Sequence, residues 1–163
     1  ESLQRDGRTL TEVWEGGARA HLLAGPATYG SLYEVQPFGN SLHRARLSGA
    51  VLRTYLEQIV AIQPLTAHVS GLTARFDPSK PPGARLASVT MADGSPLRDE
   101  ATYTVTLNDF MVTGGDGLGL PVGAGVPEPV NILDLEALID YSRSLPQPIR
   151  APEPVRLTPI PRD

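Results

Sequence analysis

The chain of 163 residues has no cysteine, which excludes a disulfide scaffold, thiolate metal sites and a thiol nucleophile while leaving the redox compartment open. No apolar stretch approaches the length of a membrane-spanning helix, and no signal-peptide pattern opens the sequence. Histidine is scarce: His21, His43 and His68 stand at no ligand-like spacing, and histidines scattered singly are usually structural or surface residues. Positive charge is thin as well. The formal net charge is -4 and basic residues occur singly, so nothing offers an electrostatic footprint for nucleic acid or an anionic membrane. Glycine and proline, by contrast, number 16 each, which predicts tight turns and long connections. The length suits one core of ordinary size, with no internal repeat. Because the chain starts at Glu1 without a methionine, it is expected to be a processed or excised piece.

The first dozen residues are polar and weakly patterned and receive no assignment. Thr28 to Val35 is expected to form a short helix ended by Pro37, since the residue before proline is pushed out of the α region. Ser41 to Leu47 alternates as a strand with one solvated face. Ser48 or Gly49 then caps a helix whose Val51, Leu52, Tyr55, Leu56 and Ile59 share one stripe. Strand signals follow at Thr73 to Phe76, at Leu86 to Met91 with a hairpin turn at Ala92-Asp93-Gly94, and at Tyr103 to Leu107. Pro121 to Pro129 is too rich in glycine and proline for regular structure. A second helix starts at Asn131 or Asp134 and is stopped by Pro146, and the tail from Pro146 to Pro161 is expected to run extended along the surface. Strands interleaved with two good helices imply an α/β (α+β) domain with a mixed β-sheet packed with helices.

One run carries chemistry. Asn108-Asp109-Phe110-Met111-Val112-Thr113-Gly114-Gly115-Asp116-Gly117 places an aromatic and a carboxylate around paired glycines directly after a strand. The glycines permit positive φ and close backbone approach to a ligand, and Asp116 can accept hydrogen bonds from hydroxyl groups. Taken alone, the run reads sooner as an ordinary turn than as a site, and Phe38, between Pro37 and Gly39, reads as a core residue in a turn.

A second segment changes this. Gly25-Pro26-Ala27-Thr28-Tyr29-Gly30 leads into Leu32-Tyr33, the turn Pro37-Phe38-Gly39-Asn40 and the helix start Leu47-Ser48-Gly49. In this order, with the Gly-Gly-Asp-Gly loop, these segments resemble the C-terminal domain of the 5'-nucleotidase family, which also includes UDP-sugar hydrolases and cyclic-nucleotide phosphodiesterases. The likeness runs from about Gly16 through Leu135-Glu136-Ala137-Leu138 to Val155-Arg156-Leu157. It implies a substrate-binding domain over residues 16–163, with 1–15 poorly assigned.

The resemblance implies roles as well. Phe38 and Phe110 would clamp the two faces of a nucleobase, a geometry that tolerates different bases because every base has a π-face. Asp116 would receive the ribose hydroxyls. Arg19 would grip phosphate, for which its planar fork is suited, although a lone arginine beside a glycine pair also reads as a solvated surface residue. The family's Asn-Gly-Gly-Gly-Ile-Arg stands here as Trp14-Glu15-Gly16-Gly17-Ala18-Arg19, so the arginine is kept and the asparagine is not. Family hydrolysis uses two divalent metal ions held in an N-terminal metallophosphatase domain. This chain lacks that domain's Asp-x-His and Asn-His-Glu signatures, so no catalytic residue, metal ligand or cofactor is expected in it. The expected function is nucleotide or nucleoside recognition for a parent hydrolase in the periplasm, secreted or at the cell surface. A stand-alone nucleoside-binding module and a structural domain with a decayed pocket stay open as alternatives.

Overall fold

A computed structural model describes residues 9–14, 18–62, 65, 67–150 and 155–161, with only the backbone described for residues 9–14. Eight strands and four helices follow one another as β1 (Thr9–Trp14), α1 (Tyr29–Val35), β2 (Ser41–Ser48), α2 (Gly49–Ala61), β3 (Ala67–Ser70), β4 (Leu72–Phe76), β5 (Leu86–Met91), β6 (Thr102–Asn108), α3 (Asp109–Val112), β7 (Glu128–Leu133), α4 (Asp134–Ser144) and β8 (Leu157–Pro159), with one 3-10 turn at Gly115–Gly117. The strands form two sheets: five in the order β3-β1-β6-β2-β7 and three in the order β5-β4-β8. Each sheet is mixed, since β1 runs parallel to β6 and β8 parallel to β4 while the other pairs are antiparallel. The α+β class with mixed sheets packed by helices is therefore realised, in two sheets.

The central helix explains how the two sheets share a core. Ser48 caps α2, its hydroxyl accepting from the Val51 amide at 3.3 Å, and of the expected stripe, Leu52, Tyr55, Leu56 and Ile59 are fully buried while Val51 is half-buried at its edge. α2 touches β2 and β6 of one sheet and β5 of the other. Around it gather Leu47, Val105 and Leu107 from the larger sheet and Ala74, Phe76 and Val89 from the smaller. Burying each large aliphatic side chain is worth about 1.5–3 kcal/mol. Arg85 closes the far end of α2, donating to the carbonyls of Val60 and Ala61, while Glu57 accepts from the amides of Arg85 and Leu86 and so ties β5 to the helix.

Several elements differ from expectation. The unassigned N-terminal stretch contains β1, which lies inside the larger sheet with Thr11 opposite Ser70 on one side and Thr106 on the other. The region through Pro129 is not wholly irregular: Glu128–Leu133 pairs with β2 as an edge strand, a place where a proline costs no ladder bond if its nitrogen faces outward. Asn131 lies in that strand with φ 59°, and the second helix starts at Asp134. The tail does not merely cover the surface, because Leu157 is buried and β8 pairs with β4. The turn at Ala92-Asp93-Gly94 forms, yet the chain returns to β5 only through the bridge Thr90 to Pro96. Among the described residues no helix is long and apolar enough to cross a membrane.

Candidate functional site

The antiparallel pairing of β2 with β6 sets the geometry. Leu42, near the start of β2, lies opposite Asn108, the last residue of β6. The chain entering β2 and the chain leaving β6 therefore overshoot the sheet at the same end. The entering chain is the turn Pro37-Phe38-Gly39-Asn40, and the leaving chain is α3 with Phe110. Both phenylalanines stay at the surface, Phe38 43% and Phe110 36% exposed, whereas Phe76 is buried at 3%. The core alternative for Phe38 is thus not what the chain adopts.

Each ring has a defined neighbour. The guanidinium carbon of Arg19 lies 5.0 Å from the centroid of the Phe38 ring, within cation–π range and worth about 0.5–1 kcal/mol at an exposed site. Arg19 is itself anchored through its amide, which donates to the Val35 carbonyl at 2.8 Å. That bond brings the loop before α1 against the helix end that leads into the Phe38 turn. Phe110 lies over Gly115 so closely that a Cβ there would collide with the ring, so glycine is required by the approach of the aromatic.

The loop after α3 aims Asp116 outward. Asn108 caps α3, its side-chain oxygen accepting from the Met111 amide at 2.9 Å. Thr113 folds back on the carbonyls of Asp109 and Phe110. Gly114 then takes φ 88° and Asp116 itself φ 52°, a left-handed conformation that aspartate tolerates better than most residues. Asp116 is exposed. The following Leu118 is buried and its carbonyl accepts from the Tyr55 hydroxyl at 3.0 Å, which ties the loop to the core helix.

The two ring-bearing segments are joined by bonds the sequence did not announce. The Ser41 amide donates to the Asp109 carboxylate at 3.3 Å, and the Asn40 carbonyl accepts from the Asp134 amide at 2.9 Å. Asp134 is 5% exposed; one of its carboxylate oxygens accepts from the Leu135 amide at 2.7 Å and the other is buried without a hydrogen-bond partner. The sequence signal for the first of these was the acidic Asp109 directly after the helix-capping Asn108.

Of the expected site residues, Arg19 and Phe38 are brought into contact, Phe110 in α3 is followed by the loop that carries Asp116, and the segments bearing Phe38 and Phe110 flank the same end of the β2–β6 pair. Trp14 ends β1 opposite Ala67. Glu15, Gly16 and Gly17, on which the phosphate-binding likeness partly rests, lie outside the described residues. Among the described residues no group of three or more histidine, aspartate or glutamate side chains could hold a metal ion.

Comparison with known proteins decides the family. Residues 7–122 match the model of the 5'-nucleotidase C-terminal domain. The chain belongs to the 5'-nucleotidase family, as its C-terminal domain. A solved 5'-nucleotidase precursor from Thermus thermophilus superposes with a TM-score of 0.84 at 34% identity, covering 96% of this chain and 32% of that one. Among curated proteins, Endonuclease YhcR of Bacillus subtilis is 38% identical over 136 residues, 82% of this chain and 11% of its own length. Cell wall protein Lmo0130 of Listeria monocytogenes is 34% identical over 117 residues, 70% of this chain and 15% of its own. The chain thus spans a third or less of the length of each of these relatives.

Proposed function

We propose that this domain recognises the base and ribose of a nucleotide or nucleoside on behalf of a metal-dependent phosphohydrolase whose two metal ions are held by an N-terminal domain outside this chain. The observation that carries the reading is the placement of two exposed phenylalanines at one end of the sheet, Phe38 on the turn that enters β2 and Phe110 in α3, which leaves the neighbouring β6. Exposed rings in fixed turns suit a flat heterocycle, since stacking contributes about 1–3 kcal/mol per base. Asp116, on the loop beyond Phe110, supplies an acceptor for sugar hydroxyls, and Arg19 supplies a cation beside Phe38 for the phosphate. The cell-wall and precursor relatives favour a secreted or surface location for the parent.

Titration of the chain with adenosine, AMP, UDP-glucose and deoxyadenosines by calorimetry tests this. Adenosine is expected to bind more tightly than its 2'- and 3'-deoxy forms, and Asp116→Ala to erase most of that preference, each charge-assisted bond contributing about 1.5–3 kcal/mol. Equal affinity of the unaltered chain for ribose and deoxyribose forms would remove Asp116 from recognition. A second reading, a domain with a decayed pocket, is favoured by Trp14 standing where the family has asparagine. It is distinguished by a chain that binds none of these ligands.

A further inference from the structure

We propose that Asp109 is the positioning residue that fixes the Phe38 turn relative to Phe110, and so sets the selectivity of the site for a planar heterocycle. The inference rests on the reading of the site given above and deepens it. Beyond the last ladder pair, Leu42 with Asn108, the two strands no longer hold each other through the backbone. The Ser41 amide bonds instead to the carboxylate of Asp109 at 3.3 Å, across 68 residues of chain. Ser41 lies three residues after Phe38, and Asp109 immediately precedes Phe110. One side chain therefore connects the base of each ring-bearing segment.

Two other contacts act on these segments. On its other flank the Phe38 turn is held by the bond from the Asp134 amide to the Asn40 carbonyl, which belongs to the main chain and faces β7 and α4. Phe110 is held from below by Gly115. Neither contact joins one ring-bearing segment to the other. A pair of stacking rings selects by thickness, and a gap of about 0.5–1 Å opened between ring and base forfeits roughly a quarter to a half of the dispersion contact. A flexible link would leave sugar contacts intact while the stack loosened. The bond is partly buried, and an amide-to-carboxylate bond is charge-assisted.

The test uses the whole chain labelled uniformly with 4-fluorophenylalanine, which gives three resonances, from Phe38, Phe76 and Phe110; buried Phe76 is the internal reference for the fold. In Asp109→Ala, adenosine affinity should fall about three- to tenfold, as expected when one hydrogen bond is lost, while ribose affinity, the Phe76 resonance and the Tm stay close to those of the unaltered chain. Asp109→Asn, which keeps an acceptor oxygen, should restore most of the loss, and Asp140→Ala on the exposed face of α4 should change nothing. An equal loss for adenosine and ribose, or no loss for either, overturns the proposal. If the unaltered chain binds no adenosine, base recognition fails, and the ligand-free spectrum decides about Asp109 by itself. Movement of the Phe38 resonance in Asp109→Ala, with Phe76 fixed, upholds the link, and a stationary Phe38 refutes it. Should Asp109→Ala unfold, the similarly sized Asp109→Leu takes its place; unfolding of both would make Asp109 a structural residue and overturn the proposal.

Discussion

Phe38, Phe76 and Phe110 are chemically identical and are placed differently, so they offer a direct comparison. Phe76 is 3% exposed at the end of β4, and Phe110 is 36% exposed in the short helix α3. Phe76→Ala is expected to destabilise the domain by about 3–5 kcal/mol, as core phenylalanine removals do, whereas Phe110→Ala should cost less than about 2 kcal/mol, since roughly a third of the ring already faces solvent. Urea denaturation followed by far-UV circular dichroism measures both, and equal losses would place Phe110 in the core. Adenosine affinity should respond in the opposite order, falling in Phe110→Ala. Gly115→Ala provides a subtler change. Its new methyl group would collide with the Phe110 ring, so the ring must swing aside. We expect weaker adenosine binding with little change in Tm, and a crystal structure of the variant should show Phe110 in a new rotamer. An unmoved ring would mean that the backbone of the loop yields instead.

The elements differ in how openly the sequence announced them. α2 was legible because its stripe Leu52, Tyr55, Leu56 and Ile59 repeats at helical spacing after a serine cap. β2, β5 and β6 were legible through alternation and β-branched residues. β7 was hidden by Pro129 and Asn131, residues that argue against a strand unless the strand lies at an edge, a tertiary fact. β3 is only four residues long, and β8 gains its place from a single buried leucine, Leu157, docking beside β4. At the candidate site, the aromatic and acidic residues were singled out only through the family resemblance, since type and turn context alone read as an ordinary turn and a core phenylalanine, and the bonds of Asp109 and Asp134 were not legible at all, because each joins residues distant in sequence. The link from α2 to the site loop is likewise tertiary. Tyr55→Phe removes the hydroxyl that donates to the Leu118 carbonyl. It should cost about 1–3 kcal/mol, because a buried acceptor is left unpaired. Hydrogen exchange of the Gly114 to Leu118 amides should speed up; unchanged exchange there would show that the loop holds itself.

As a whole molecule, the chain presents two exposed phenylalanines at one end of its larger sheet and, among its described residues, no cluster fit for a metal ion. The pure chain is expected to release no phosphate from AMP above background, with or without added manganese or zinc, because binding alone leaves the departing oxygen unstabilised. Malachite-green assay of phosphate checks this, and chelator-sensitive release would refute it. The place of β1 has a different consequence. Its backbone fills the slot between β3 and β6, with Leu10 opposite Val105, so the sheet closes only when the two ends of a long stretch of chain come together, a topology that slows folding. A version of the domain begun after Gly17 would present two facing rows of unsatisfied amides and carbonyls one strand-width apart, an invitation to self-association. The same slot makes the domain divisible: a synthetic peptide spanning β1 is suited to insert into the remainder as an added strand, turning an N-terminal segment that looks dispensable into the removable half of a two-piece protein.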